Sequence, residues 1–239
     1  MSRLLFRWES ELSKSFQKNI SPSLWTRRDS GTWVRAHESN CSEGRADIVW
    51  ARFERGELPI KLKRHANLLQ NRTASRLLAT LRQGSSQSEE ALLPRIGVTS
   101  PILRKWLRAL SEAGLITTTR NGNFRAMPRS TLPSFEICAF ELKLTNWQRA
   151  LYQATRYKSF SHRVFVVMPA NNAHAAFKHK EQFRKANIGL VAHELSGQSH
   201  VLVRPLKRPP YSGYRTIMAL GMFSAIAPVK QLSSHGRNR

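Results

Sequence analysis

Three side chains in this sequence have types and positions suited to catalysis: Glu141, Lys143 two residues later, and Asp47 far upstream. The run Phe135-Glu136-Ile137-Cys138-Ala139-Phe140-Glu141-Leu142-Lys143-Leu144 reads as one strand. Successive strand side chains alternate faces, so Glu141 and Lys143 share a face, while Cys138, Phe140, Leu142 and Leu144 take the other. On this segment alone two explanations stay open. One is a surface ion pair on an edge strand, a common feature worth little energetically. The other is half of a metal-dependent hydrolytic site, which needs a second carboxylate. Asp47 is the candidate, because it opens the apolar stretch Ile48-Val49-Trp50-Ala51-Arg52-Phe53 much as a site residue opens a strand. Glu136 lies nearer in sequence, but it is an odd number of positions from Glu141 and so belongs to the opposite face.

Composition narrows the partner. The 239 residues suffice for one large domain or two small ones. A hydrophobic content of 41% supports a packed core rather than global disorder. The formal charge is +24, from 39 Lys and Arg against 15 Asp and Glu. Folding does not require that excess and self-repulsion opposes it, so a polyanionic partner is expected. Nucleic acid comes first, since neutralising phosphates releases counterions; an anionic membrane surface comes second. Cys41 and Cys138 form no disulfide framework and no zinc spacing, as in a reducing compartment. The N-terminus lacks the apolar core of a signal peptide. The longest weakly polar run, 216–227, falls short of the ~20 residues that span a bilayer. A cytoplasmic protein that does not enter membranes is expected.

Leu4, Leu5, Trp8, Leu12 and Phe16 are spaced as an amphipathic helix over 4–18, with Glu9 and Glu11 bordering its apolar stripe. Strands are expected at 32–37 and 46–53, around a turn at 40–44. Residues 61–82 read as a basic helical stretch, 88–95 as a short helix capped by Ser88, and 102–113 as a helix with Ser100 at the cap and Pro101 at its first position. Asn121-Gly122 turns a hairpin between 115–119 and 124–127. Helix, helix, turn, helix and hairpin is the order of a winged helix-turn-helix over 61–130. Its recognition helix would present Thr99, Ser100, Arg104, Lys105 and Arg108, with Ile102, Leu103, Trp106, Leu107 and Leu110 packed inward. This region carries thirteen Lys and Arg against three Glu, which points to DNA contact rather than a purely protein-interaction or dimerisation module. After the strand at 135–144 come a helix at 146–160, a doubly covered strand at 164–168, a helix at 173–186 and strands at 189–194 and 201–204. The division is 1–58, an insertion at 61–130, 131–206, and a basic tail at 207–239 in which 216–227 docks as a helix and 233–239 stays loose. The histidines at 174, 179, 193 and 200 lack zinc spacing and are expected at the surface or against phosphate.

Helix, strand, strand with Asp, strand with Glu-x-Lys, helix, strand resembles the PD-(D/E)xK nuclease core, the restriction-endonuclease-like fold. The resemblance extends through Phe140-Glu141-Leu142-Lys143-Leu144-Thr145-Asn146-Trp147-Gln148-Arg149-Ala150-Leu151-Tyr152-Gln153-Ala154-Thr155-Arg156-Tyr157. Gln153 to Tyr157 fits the Q-x-x-x-Y pattern of RecB-type nucleases, and the similarity covers most of residues 40–205. It departs from the pattern at Ala46, where Pro usually precedes the Asp, and in the 94 residues from Asp47 to Glu141, which only an insertion explains. The resemblance implies an α/β core and a metal-dependent DNA endonuclease. Asp47, Glu141 and the Leu142 carbonyl would hold Mg²⁺ or Mn²⁺, and an oxygen-only set suits such hard ions. Lys143 would orient or deprotonate the attacking water, or stabilise developing charge. Gln153 and Tyr157, sharing a helix face with Arg149 and Arg156, would contact phosphate or support Lys143, and either Glu9 or Glu11 would join the site. Arg120 at the hairpin turn, Arg149 and Arg156 complete the expected DNA contacts, on double-stranded DNA. A homodimer, or one subunit of a larger nucleoprotein complex in transposition or phage defence, is compatible with this. The competing expectation is a non-catalytic DNA-binding or regulatory protein that uses the fold as a scaffold.

Overall fold

A computed structural model describes residues 6–21, 31–40, 45–53, 63–82, 86–127, 132 and 134–226. Helix α1 (Glu9–Asn19) precedes strands β1 (Thr32–Asn40) and β2 (Arg45–Phe53). Helices α2 (Ala66–Gln70), α3 (Arg72–Arg82), α4 (Glu89–Ile96) and α5 (Ser100–Glu112) lead to short strands β3 (Ile116–Thr118) and β4 (Phe124–Ala126). The chain continues as β5 (Phe135–Leu142), α6 (Trp147–Tyr157), β6 (Arg163–Pro169), α7 (Ala170–Phe177) and α8 (Lys180–Ala186). It closes with β7 (Gly189–His193), β8 (Ser199–Val203) and α9 (Gly213–Ala225).

The protein is α/β, with a mixed six-stranded sheet in the order β1-β2-β5-β6-β7-β8 flanked by helices. β5, β6 and β7 run parallel and the remaining neighbours antiparallel. After Arg163, β6 is apolar and buried from Val164 to Pro169, as suits a central strand covered on both faces. One face of the sheet receives α1, whose Leu12 and Phe16 pack with Ile48, Trp50, Phe140, Phe165 and Val191. The Phe16 and Phe140 rings meet edge-on at 5.6 Å. On the other face Val49, Ala51, Ile137, Ala139 and Val166 pack with Ala150 and Ala154 of α6.

The long excursion between β2 and β5 begins and ends on one rung of the ladder. Phe53 and Phe135 are register partners, with their rings stacked at 6.0 Å. Leu77, Leu81, Leu92, Leu103, Leu107 and Leu110 from the excursion join the same apolar cluster as the sheet. Ser88 accepts from the Ala91 amide to start α4, and Gly97, at φ 68°, ends it in the left-handed region. Gln87 bridges to Phe124, adding a rung beside the β3–β4 hairpin. Among the described residues no helix is long and apolar enough to cross a membrane.

Several expectations need correction. The opening helix starts at Glu9 rather than residue 4, and Trp8, expected on its apolar stripe, is 67% exposed. Leu4, Leu5, the turn at 41–44 and residues 233–239 lie outside the described residues. The basic stretch at 61–82 breaks at Asn71, whose side chain accepts from the Thr73 and Ala74 amides and so caps a second helix. The helix expected at 173–186 divides at Lys178-His179, and the His179 ring stacks on Trp147 at 4.7 Å. α5 is capped at Thr99 rather than Ser100, and Ile102, expected inward, is exposed. The helix expected to dock at 216–227 does so, but it runs Gly213–Ala225. α9 packs on α2 and α3 and buries Leu220 and Phe223 in the common cluster. Gly221 permits the approach, since a Cβ there would sit 2.7 Å from Leu69 Cβ and 2.9 Å from the Ala66 carbonyl oxygen. His193 is fully buried rather than at the surface.

Candidate active site

The β2–β5 register solves the separation of the two acids. Ile48 faces Phe140 across the ladder, and the same register carried one step further sets Asp47 opposite Glu141. The Leu142 amide donates to Asp47 Oδ2 at 2.8 Å, so a side chain takes over where the backbone ladder stops. Lys143 follows directly, its amide donating to the Val167 carbonyl of β6. Its ammonium lies 3.8 Å from Glu141 Oε1 and 3.0 Å from Glu9 Oε2. Tyr157, at the end of α6, donates its phenol to Glu141 Oε2. Side chains from α1, β2, α6 and the end of β5 thus meet at one place.

Glu9 and Glu11 have different jobs. Glu11 turns back to accept from the Arg7 and Trp8 amides, satisfying donors that a helix start leaves orphaned. Glu9 is left to reach Lys143. Gln153 lies one turn before Tyr157 on α6, and its Oε1 is buried with no hydrogen-bond partner among the described residues. Arg149 and Arg156 are exposed whereas Tyr157 is buried, so the expected common face is split between site and solvent. Glu136 faces the other way. It is buried against Arg163 (2.8 Å), Lys207 (3.1 Å) and Arg52 (3.6 Å). Burial alone would raise its pKa, but the hydrogen bonds from Arg163 and Lys207 and their charges outweigh that and hold it below the usual carboxylate range.

Glu141 is driven the opposite way. Only 2% of it is exposed, and burial, then repulsion from Asp47, raises its carboxyl to about 7 against the counteracting Tyr157 bond and Lys143 charge. Glu9, Asp47 and Glu141, when ionised, outnumber Lys143 by two charges. A divalent cation would neutralise that surplus, and the oxygen donors suit Mg²⁺ or Mn²⁺. Among the described residues no group of three or more His, Cys, Asp or Glu is arranged to hold a metal ion. An ion here would rely on Asp47, Glu141, the Leu142 carbonyl and water. That fits Mg²⁺, which binds through one or two carboxylates and keeps several waters.

Beside the acids is a cleft of about 440 Å³, lined by Glu9, Ser10, Ser13, Lys14, Gln17, Asp47 and Leu142. The four residues from Ser10 to Gln17 were not anticipated. Their spacing of three and four, flanking the apolar Leu12 and Phe16, is the signal that identifies a polar helix flank. In the excursion, Thr99, Arg104, Lys105, Arg108 and Arg120 are exposed, and Ser100 is half-buried. Arg104 is held by Glu89 at 2.8 Å. No family model, curated protein or solved structure matches the chain.

Proposed function

We propose that the chain is a Mg²⁺- or Mn²⁺-dependent DNA endonuclease with a restriction-endonuclease-like core, interrupted by a winged helix-turn-helix that seats it on duplex DNA. The observation that carries this reading is the register-matched pairing of Asp47 with Glu141 beside Lys143, despite the long excursion between them. Asp47, Glu141 and the Leu142 carbonyl would hold the metal, which would supply Lewis acidity toward the phosphate and a bound water. Tyr157 fixes the Glu141 carboxylate through its phenol. Glu9 holds the Lys143 ammonium at the mouth of the site. There Lys143 orients the attacking water and offsets negative charge as the phosphodiester bond breaks. Gln153 supplies a buried amide oxygen one turn from Tyr157 that can orient the same water.

The excursion supports the DNA-binding half of this reading. Its order of elements, the Gln87–Phe124 bridge and the exposed Lys105, Arg108 and Arg120 suit a basic winged helix on phosphates. Plasmid DNA incubated with Mg²⁺ or Mn²⁺ tests the proposal, with Glu141→Ala and Lys143→Ala as controls. One observation favours the second reading, a DNA-binding protein with an idle site: the lack of a three-ligand cluster among the described residues. Calorimetry with Mn²⁺ separates the two. Heat of binding that vanishes in Asp47→Ala supports the enzyme, and DNA binding with no metal uptake supports the scaffold.

A further inference from the structure

The cleft beside the acids has two chemically different ends. One end is acidic, with Glu9 and Asp47; the other is the flank of α1 formed by Ser10, Ser13, Lys14 and Gln17. The opposite stripe of α1, Leu12 and Phe16, is fully buried in the sheet, so the rotation of the helix is fixed and this flank faces the cleft. Gln17 donates its amide to Ser13 Oγ at 2.8 Å. With that lone pair engaged, the Ser13 hydroxyl proton is directed away from Gln17. Lys14, exposed beside them, contributes an ammonium. A hydroxyl donor and an ammonium on one wall suit a phosphate, and offer a neutral or cationic ligand little.

We propose that Ser13 and Lys14, with Gln17 as the positioning residue for Ser13, bind a non-scissile phosphate of the strand that enters the cleft. This rests on the nuclease reading for the identity of that strand. Lys14 is five residues beyond Glu9, about 7.5 Å along the axis at 1.5 Å per residue. Each strand of B-DNA advances about 3.4 Å along the duplex axis per phosphate, and neighbouring phosphates are farther apart than that rise, so the contacted group lies within one or two phosphates of the one facing Glu141 and Lys143. The pair of contacts fixes the strand's path through the site: one phosphate at the acids, the other at the α1 flank.

The experiment measures binding of a fluorescent duplex in Ca²⁺ as salt is varied, for wild type, Lys14→Ala and Gln17→Ala. Each phosphate contact adds about 0.9 to the salt slope. Losing the Lys14 contact therefore lowers the slope by about 0.9 and weakens binding about eightfold at 0.1 M salt. Gln17→Ala weakens binding without changing the slope, because no charge is removed. Single methylphosphonates scanned along one strand give a position that weakens wild type and leaves Lys14→Ala unaffected. Cleavage in Mg²⁺ is followed in parallel, and the loss for Lys14→Ala falls on KM rather than kcat. Wild-type slope and affinity in Lys14→Ala overturn the proposal. If the slope does fall but wild type never cuts, the phosphate contact stands and the nuclease reading fails. Wild type that binds no duplex overturns both.

Discussion

Replacing Glu141 by Gln is predicted to stabilise the metal-free protein in a strictly pH-dependent way. Glu141 is 2% exposed, and its carboxyl titrates at about 7 instead of the ordinary 4.5. Burial is the main cause and Asp47 the second, with the Tyr157 bond and Lys143 pulling back and Glu9 adding to the rise. A folded-state pKa above the unfolded value means the native protein keeps the proton longer than the unfolded chain does. That contribution to stability is complete below pH 4.5 and is lost as pH rises to 7. At about 1.36 kcal/mol per unit over roughly 2.5 units, the loss is about 3 kcal/mol. Glutamine has the shape of the neutral carboxyl, keeps an oxygen for the Tyr157 phenol, and never ionises. In EDTA, wild type and Glu141→Gln should melt together near pH 4.5. At pH 8 the variant should be higher by up to about 3 kcal/mol, or about 6–12 °C in a chain of this size. Mg²⁺ at pH 8 should raise Tm in wild type and leave the variant unmoved. A difference that is the same at both pH values, or a less stable variant at pH 8, refutes the buried-acid reasoning.

Three further outcomes follow from the same geometry. His193 bridges Ser15 (2.9 Å) and Ser199 (2.8 Å), and burial lowers its pKa to about 4. Its contribution is therefore present above pH 6.5 and lost as pH falls toward 4, so the gap between urea midpoints at pH 7 and pH 4.5 should narrow in His193→Gln. Glu136→Gln removes the buried negative charge that faces Arg52, Arg163 and Lys207 and should cost about 3–5 kcal/mol in urea denaturation. Since Glu136 faces away from the site, kcat measured well below the melting range should hold. Gly221→Ala drives a methyl into Leu69 and the Ala66 carbonyl, and should cost about 1–3 kcal/mol and expose the α2–α9 contact to limited proteolysis.

The grouping of the site side chains was more legible in the sequence than the scaffold around it. Alternation along β5 placed Glu141 with Lys143 and Glu136 opposite, because strand parity is a local property. The pairing of Asp47 with Glu141 was open to a topological guess only, since register between distant strands is set by cross-strand packing. The stacked Phe53 and Phe135 are one piece of that packing. Glu9 and Glu11 could not be separated by sequence, as both border the apolar stripe; backbone amides decided it by claiming Glu11. The docking of the C-terminal helix was legible in its apolar run, but its start three residues earlier, at Gly213, was not, because that setting is polar and rich in Pro and Gly. What places it is the complementary surface of α2, visible only once the two meet at Gly221. His193 was misplaced for a similar reason: its two hydroxyl partners come from positions 15 and 199.

The most direct measurement is single-turnover conversion of supercoiled plasmid, in Mg²⁺ and in excess EDTA, by wild type, Asp47→Ala and Lys143→Ala at equal DNA occupancy. Nicked or linear product from wild type in Mg²⁺ alone, lost by at least a hundredfold in both variants while DNA binding persists, is the predicted result. Intact plasmid with bound wild-type protein, or cleavage that survives loss of Asp47, would contradict the account.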